Sequence, residues 1–255
     1  MLYNTNAVVI RSIAYGETHA IVTLLTPSGT VAAMARGAKK PQSRLASGIQ
    51  LCVEGIYSIY QRTGMGSVQQ VEIVNSRRVL REDLESAAYA AYFCELVGMV
   101  AQERPNGSEA VFRLFSGALE RLIENRADVF FTARTWEAKI LRWLGASPNW
   151  MDCVLCHERL TGEVFYSPGE GGFVCTVCER TAYHSHPQRR ALRVPQAIPR
   201  ILETMTQLPW ERFGKVSLSQ ASRQALQTVL KIQLTEYAGV FAKSRSFLDS
   251  LEQLP

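Results

Sequence analysis

No G-x-x-x-x-G-K-[ST] phosphate loop occurs anywhere in the 255 residues, which excludes the commonest nucleotide-hydrolysing scaffold. The chain also lacks H-E-x-x-H, an acidic cluster of magnesium-binding character and a serine–histidine–acid pattern, so metalloprotease, phosphoryl-transfer and hydrolase chemistry have no residues to run on. An enzyme is not expected. Residues Met1 to Asn6 place no basic segment ahead of an apolar run, and the apolar-rich stretch Ser86 to Cys94 falls far short of a bilayer span. A cytoplasmic protein without a membrane segment is the expectation. No internal repeat appears, and no Pro/Ser/Gly linker separates the helical stretches before the cysteines from those after them. Gly64 and Gly66 have no third glycine after them and open no helix, so they mark a hairpin turn.

What the chain does have is a cysteine quartet. Cys153-x-x-Cys156 is followed by eighteen residues and then Cys175-x-x-Cys178, the spacing of a double-knuckle, four-thiolate zinc site. Each pair lets one tight turn aim two sulfurs at a common point. The intervening residues are long enough for a short ribbon, with Gly162 and the run Pro168 to Gly172 supplying turns. Two separate redox pairs are the rival, but those need a strand-to-helix context that neither pair shows in sequence. A reducing cytoplasm favours metal over disulfides, and the remaining Cys52 and Cys94 lie among apolar residues as buried thiols. One structural Zn2+ is therefore the expected cofactor.

Charge is unevenly placed. Residues 1–80 hold eight cations against three acids, a balance of +5 that equals the whole chain's, so the remaining residues sum to zero. A basic balance confined to the first third points to a polyanion partner, with a solvated basic face as the alternative. That third reads as five strands, at 6–13, 19–26, 29–36, 50–61 and 67–75, rich in β-branched and aromatic residues. Their short connections leave no room for crossover helices. Five antiparallel strands of this size predict an N-terminal OB-fold barrel, with an SH3-like barrel as runner-up. Between the third and fourth strands lie Arg36, Lys39, Lys40 and Arg44, with no acid among them. Glycine and proline keep this loop irregular, so its cations can fan along a groove while Gln42 and Ser43 add neutral donors. Tyr15 and Tyr60 are candidate base-stacking platforms, or ordinary barrel tyrosines.

Beyond Ser76 the period becomes helical. Arg81 to Glu103, a helix following Ser108, and Asp128 to Leu144 before Gly145 are expected, with Trp136, Ile140 and Trp143 as core. Pro195 to Leu208 reads as a short helix and Ser217 to about Leu251 as a long one. The fold class is thus α+β multidomain. Residues 1–78 form the barrel, and 79–255 form an all-α domain carrying an inserted four-cysteine zinc ribbon at about 150–182.

The ribbon's charge argues against a DNA-reading role. Arg159 is its one cation, against Glu158, Glu163 and Glu170, and four thiolates leave the metal centre negative. Two complete cysteine pairs fill a tetrahedral site, so His157, His184 and His186 are expected at the surface. Arg189, Arg190 and Arg193 form a secondary candidate for DNA or partner contact. The alternative class is a zinc-ribbon interaction or transcription-associated module whose barrel binds protein.

The order of features resembles the bacterial recombination mediator RecO family. The resemblance rests on Tyr15-Gly16-Glu17-Thr18, the run Ile21 to Thr26, Met34-Ala35-Arg36-Gly37-Ala38-Lys39-Lys40, the helix start Arg81-Glu82-Asp83-Leu84 leading into Ala88 to Tyr92, and a Cys-x-x-Cys pair in the helical part. It spans nearly the whole chain. It implies an N-terminal OB-fold, an α-helical domain, and a non-catalytic DNA-repair role in the bacterial cytoplasm, associated with the nucleoid. The implied partners are single- and double-stranded DNA, RecR, the single-stranded-DNA-binding protein and, indirectly, RecA. Carried over by motif, the DNA-binding residues are Arg36, Lys39, Lys40 and Arg44, with Arg11 beside them, and the metal ligands are Cys153, Cys156, Cys175 and Cys178.

Overall fold

In a computed structural model the chain is described over residues 1–101, 108–124, 128–183 and 191–251. It divides into two compact units, residues 1–129 with 242–255, and residues 130–241.

The first unit is built on a closed barrel of β1 (Leu2–Tyr15), β2 (His19–Thr26), β3 (Gly29–Ala35), β4 (Glu54–Tyr60) and β5 (Gly66–Asn75) in the order β1-β2-β3-β5-β4. β4 returns to β1, with Leu2 opposite Tyr60 and Val8 opposite Glu54. A short parallel contact, Ala33 with Gly66 and Met34 with Ser67, closes the other seam. This is the OB-fold expected from the alternation and turn spacing. Val9, Val22, Leu24, Ala33, Tyr57, Ile59 and Val68 fill the interior. Tyr57 keeps its hydroxyl satisfied there by donating to Gly48 O at 2.7 Å. The β2–β3 turn is a two-residue hairpin loop in which Thr26 Oγ1 donates to Gly29 O at 2.8 Å. β4 begins later than the apolar run suggests. Cys52 adopts φ +65°, and only single backbone bonds join Cys52 and Val53 to Val9.

A 3-10 turn at Arg78–Arg81 precedes α1 (Leu84–Val100), whose N-cap Asp83 accepts from Ser86 N at 2.8 Å. The helix expected from Arg81 onward is present, but α1 has no single apolar face. Burial runs around most of it, because β1, α2 (Ser108–Glu124) and α7 (Ser244–Leu251) all pack against it. Its alanines permit those close approaches. Leu84 at the helix start is exposed instead. Arg77 is buried where β5 gives way to the helices, donating to Glu54, to Glu120 at 2.9 Å and to Cys52 O at 3.2 Å. Nearby, the Cys52 and Cys94 sulfurs lie 3.5 Å apart, both buried as expected.

The second unit contains most of α3 (Val129–Leu144), β6 (Val164–Ser167), β7 (Gly172–Cys175), α4 (Thr176–Tyr183), β8 (Leu192–Val194), α5 (Ile198–Gln207) and α6 (Gln220–Ile232). Trp136 and Ile140 of α3 are fully buried, and Gly145 at φ +76° ends it with an Ala146 N to Leu141 O bond at 2.9 Å. The expected long C-terminal helix is broken. α6 passes into a π-helical turn, Gln233–Tyr237, Gly239 takes φ +65°, and the chain restarts as α7, which belongs to the first unit. No helix among the described residues is long and apolar enough to cross a membrane.

Candidate nucleic-acid interface and metal centre

Arg36, Lys39, Lys40 and Arg44 leave the end of β3 on a run of turns, all exposed. Backbone bonds Lys40 N to Gly37 O (3.1 Å), Ser43 N to Lys40 O (3.0 Å) and Ala46 N to Ser43 O (3.2 Å) shape the segment. Two further bonds pin it to the β1–β2 turn: Lys39 N donates to Thr18 O at 2.9 Å and Gly37 N to His19 Nδ1 at 2.9 Å. The loop is irregular yet anchored, so its cations project from a fixed base. None of the four forms an ion pair among the described residues. Ser43 Oγ accepts from Leu45 N at 3.3 Å, which leaves its hydroxyl hydrogen as the group able to meet a phosphate.

Arg11 lies on β1 just past a bulge, opposite Thr23, and is exposed and unpaired among the described residues. Tyr15 and Tyr60 are 53% and 47% exposed, so both rings are open to contact. Tyr15 ends β1, and Tyr60 ends β4, where it pairs with Leu2 on one side and Ser67 on the other. Ser67 in turn pairs with Met34, two residues before Arg36, so Tyr60 lies two strands, about 10 Å, from the end of β3 and both tyrosines share the end of the barrel that carries the basic loop. Arg77, counted in the sequence's basic balance, is spent internally on Glu54 and Glu120.

In the second unit the two cysteine knuckles meet. The first is a turn closed by His157 N to Cys153 O at 2.9 Å, with His157 exposed at φ +64°. The second begins at the last residue of β7 and runs into the first turn of α4. A strand-to-helix context is therefore present at Cys175 and Cys178, contrary to the expectation. What separates this site from a redox pair is that all four sulfurs lie within 4.8 Å of one another. Metal–sulfur bonds of about 2.3 Å at tetrahedral corners would set sulfurs about 3.8 Å apart, and Cys156 and Cys175 are 3.9 Å apart. Backbone donors point at the sulfurs, Cys175 N to Cys153 at 3.4 Å and Cys178 N to Cys175 at 3.5 Å. Burial pushes the Cys153 thiol up, but the N–H groups of Cys156, Cys175 and Leu155 outweigh it and draw it down to about 7. Burial and the neighbouring sulfurs instead push Cys178 up. Four thiols this close ionise together only around a cation, so the cluster is able to hold a metal ion.

β6 and β7 form the expected ribbon, and β8 adds a third strand through Tyr166–Leu192 and Val164–Val194 pairs. Arg193 of that strand is exposed but paired with Glu163. Arg189, Arg190, His184 and His186 lie outside the described residues. Sequence reasoning missed His19 as an anchor of the basic loop, since residues 18 apart meet there only through tertiary structure.

A closed five-stranded barrel with an anchored basic loop, followed by helices and a four-cysteine cluster, defines an OB-fold protein of composite α+β build. Residues 1–77 match the family model described as Recombination protein O N terminal, and residues 81–246 the one described as Recombination protein O C terminal. The DNA repair protein RecO of Bacillus mycoides (strain KBAB4) is 33% identical over 256 residues, covering 99% of each chain. Those of Bacillus cereus (strain AH187) and Bacillus anthracis are 33% identical over 254 residues, again with 99% of each chain covered. The chain belongs to the RecO family of DNA repair proteins.

Proposed function

We propose that this chain binds single- and double-stranded DNA through its barrel, anneals complementary strands, and with RecR helps to load RecA onto strands coated by single-stranded-DNA-binding protein. The observation that carries the reading is the pinned loop with four exposed, unpaired cations, Arg36, Lys39, Lys40 and Arg44. Arg11 extends the same basic surface along β1. These charges neutralise phosphates on two strands at once and so lower the repulsion that opposes pairing. The role is non-catalytic and cytoplasmic, at the nucleoid. Functionally we divide the chain at 78/79, with DNA contact on the barrel and protein contacts on the helical part. Cys153, Cys156, Cys175 and Cys178 would hold one Zn2+, which supplies cross-linking in place of a large local core.

The test is the salt dependence of single-strand binding. Removing one cation from a phosphate should reduce the slope of log K against log salt by roughly 0.7, so alanine at all four loop positions should remove roughly 3 and suppress annealing. An unchanged slope would reject the assignment and favour a protein-binding barrel.

A further inference from the structure

The barrel end beneath the basic loop is not filled. Ala14, Ala20 and Ala35 stand opposite one another across β1, β2 and β3. Residues directly opposite in an antiparallel pair share a face, and Ala20 and Ala35 belong to the barrel interior. Ala14 and the next inward residue, Ser12 opposite Val22, therefore face inward yet are exposed. A row of methyl groups replaces the large side chains that close-pack such an interior elsewhere. The space left is a cavity of about 520 Å³, floored by Ala20, Ala38 and Ile49 and bordered by Ala46, Lys39 and Lys40. That volume falls in the range of sites that take small organic ligands.

The lining says what kind of ligand fits. Its floor is apolar and made mostly of alanine, so it suits a rigid body that brings its own bulk. Its rim carries two cations, which suits a ligand with an anion attached. Besides the two lysines and the backbone, the side chains offer two polar oxygens: Ser12 Oγ, and the Oε1 of Gln50, whose Nε2 already donates to Ala46 O at 2.9 Å. Neither oxygen has a partner among the described residues. We propose that this cavity receives one unstacked base of a single strand whose phosphates sit on Lys39 and Lys40. The inference rests on the DNA-binding reading and adds a base contact to its phosphate contacts. Binding of this kind tolerates any sequence, because an alanine floor fits any base and a hydroxyl rotates to either hydrogen-bonding sense. It also explains how a protein that attracts all phosphates could favour a strand whose bases are free.

The experiment compares an oligothymidylate with an abasic strand of equal length, on the full chain, at one salt concentration. The wild type should bind the thymidylate strand roughly tenfold more tightly. Ala14→Leu, which fills the cavity from an exposed β1 position, should abolish that preference while leaving abasic-strand affinity and the salt slope as they were. Ala46→Leu fills the same space from the loop and should act alike, with melting temperatures showing that each variant folds. Equal wild-type affinity for the two strands would overturn the proposal. A preference that survives both substitutions would overturn it too and assign the base contact to the exposed tyrosines, Tyr15 and Tyr60. Either result leaves the basic-loop reading intact, whereas that reading fails only if the quadruple alanine variant keeps its salt slope.

Discussion

The backbone N–H of Gly37 donates to Nδ1 of His19 across 2.9 Å, so the basic loop hangs in part from an imidazole. A ring that accepts at Nδ1 carries its proton on Nε2, and a doubly protonated ring has no lone pair left to offer. His19→Ala should therefore loosen the loop without removing charge. One hydrogen bond contributes about 1 kcal/mol, so single-strand affinity should fall about fivefold with the salt slope unchanged. Single-strand binding titrations of the wild type and the variant over a salt series check this.

Replacing Cys153 and Cys156 together by serine should lower thermal stability and leave the DNA salt slope alone. Loss of about 3 kcal/mol corresponds to roughly 6–12 °C in a domain of this size. A chelator should reproduce the shift in the wild type and have no further effect on the variant. Loss of DNA binding at unchanged stability would make the ribbon a reader of DNA.

Arg77→Met should destabilise the first unit by about 2–4 kcal/mol. Removing one partner of a buried pair costs about 3–5 kcal/mol, and the lower figure allows for Glu54 and Glu120 keeping 24% and 45% side-chain exposure. Denaturant titration measures the loss. Because Arg77 itself is buried, the variant's DNA salt slope should match the wild type's.

Glu95 carries a pH-dependent contribution. Its carboxylate accepts from Lys243 N at 2.8 Å, Ser244 N at 2.9 Å and the Ser244 hydroxyl, capping α7. Partial burial raises its pKa, but the Ser244 and Lys243 donors outweigh that and hold it below the ordinary 4.5. The unfolded chain therefore binds this proton first as pH falls. The stabilisation is fully present above about 4.5 and is lost on descent through the folded-state value. Glu95→Gln should flatten that part of the stability curve, as read by melting temperatures across the acid range.

Much of this was legible in the chain. The β-branched and aromatic runs with their short connections, and the Gly64/Gly66 hairpin, marked the barrel, and charge alone located the loop. Cysteine spacing located the cluster. What the sequence hid was either too short to show a period or made by distant residues. β8 has three residues, and three residues carry no alternation to read. The break after α6 did have a signal, Gly239, but apolar positions on both sides of it continued the helical pattern. The alanine row at the barrel end became visible only through register, because Ala14, Ala20 and Ala35 are ordinary strand residues one at a time. His19 looked like any strand residue until Gly37 was placed against it.

The first unit is discontinuous in sequence, ending at 129 and resuming at 242. Ser244 reaches Glu95, and Arg245 donates to the Tyr92 hydroxyl at 3.1 Å, so α7 covers one side of α1. The last piece of that unit is translated after every residue of the second unit. A nascent chain halted near residue 241 would hold every residue of the second unit while α1 still lacked its cover. Ribosomes thus finish the cysteine-bearing unit before the barrel-bearing one can close, and a nonsense mutation anywhere between 130 and 241 deprives the barrel's own unit of a helix.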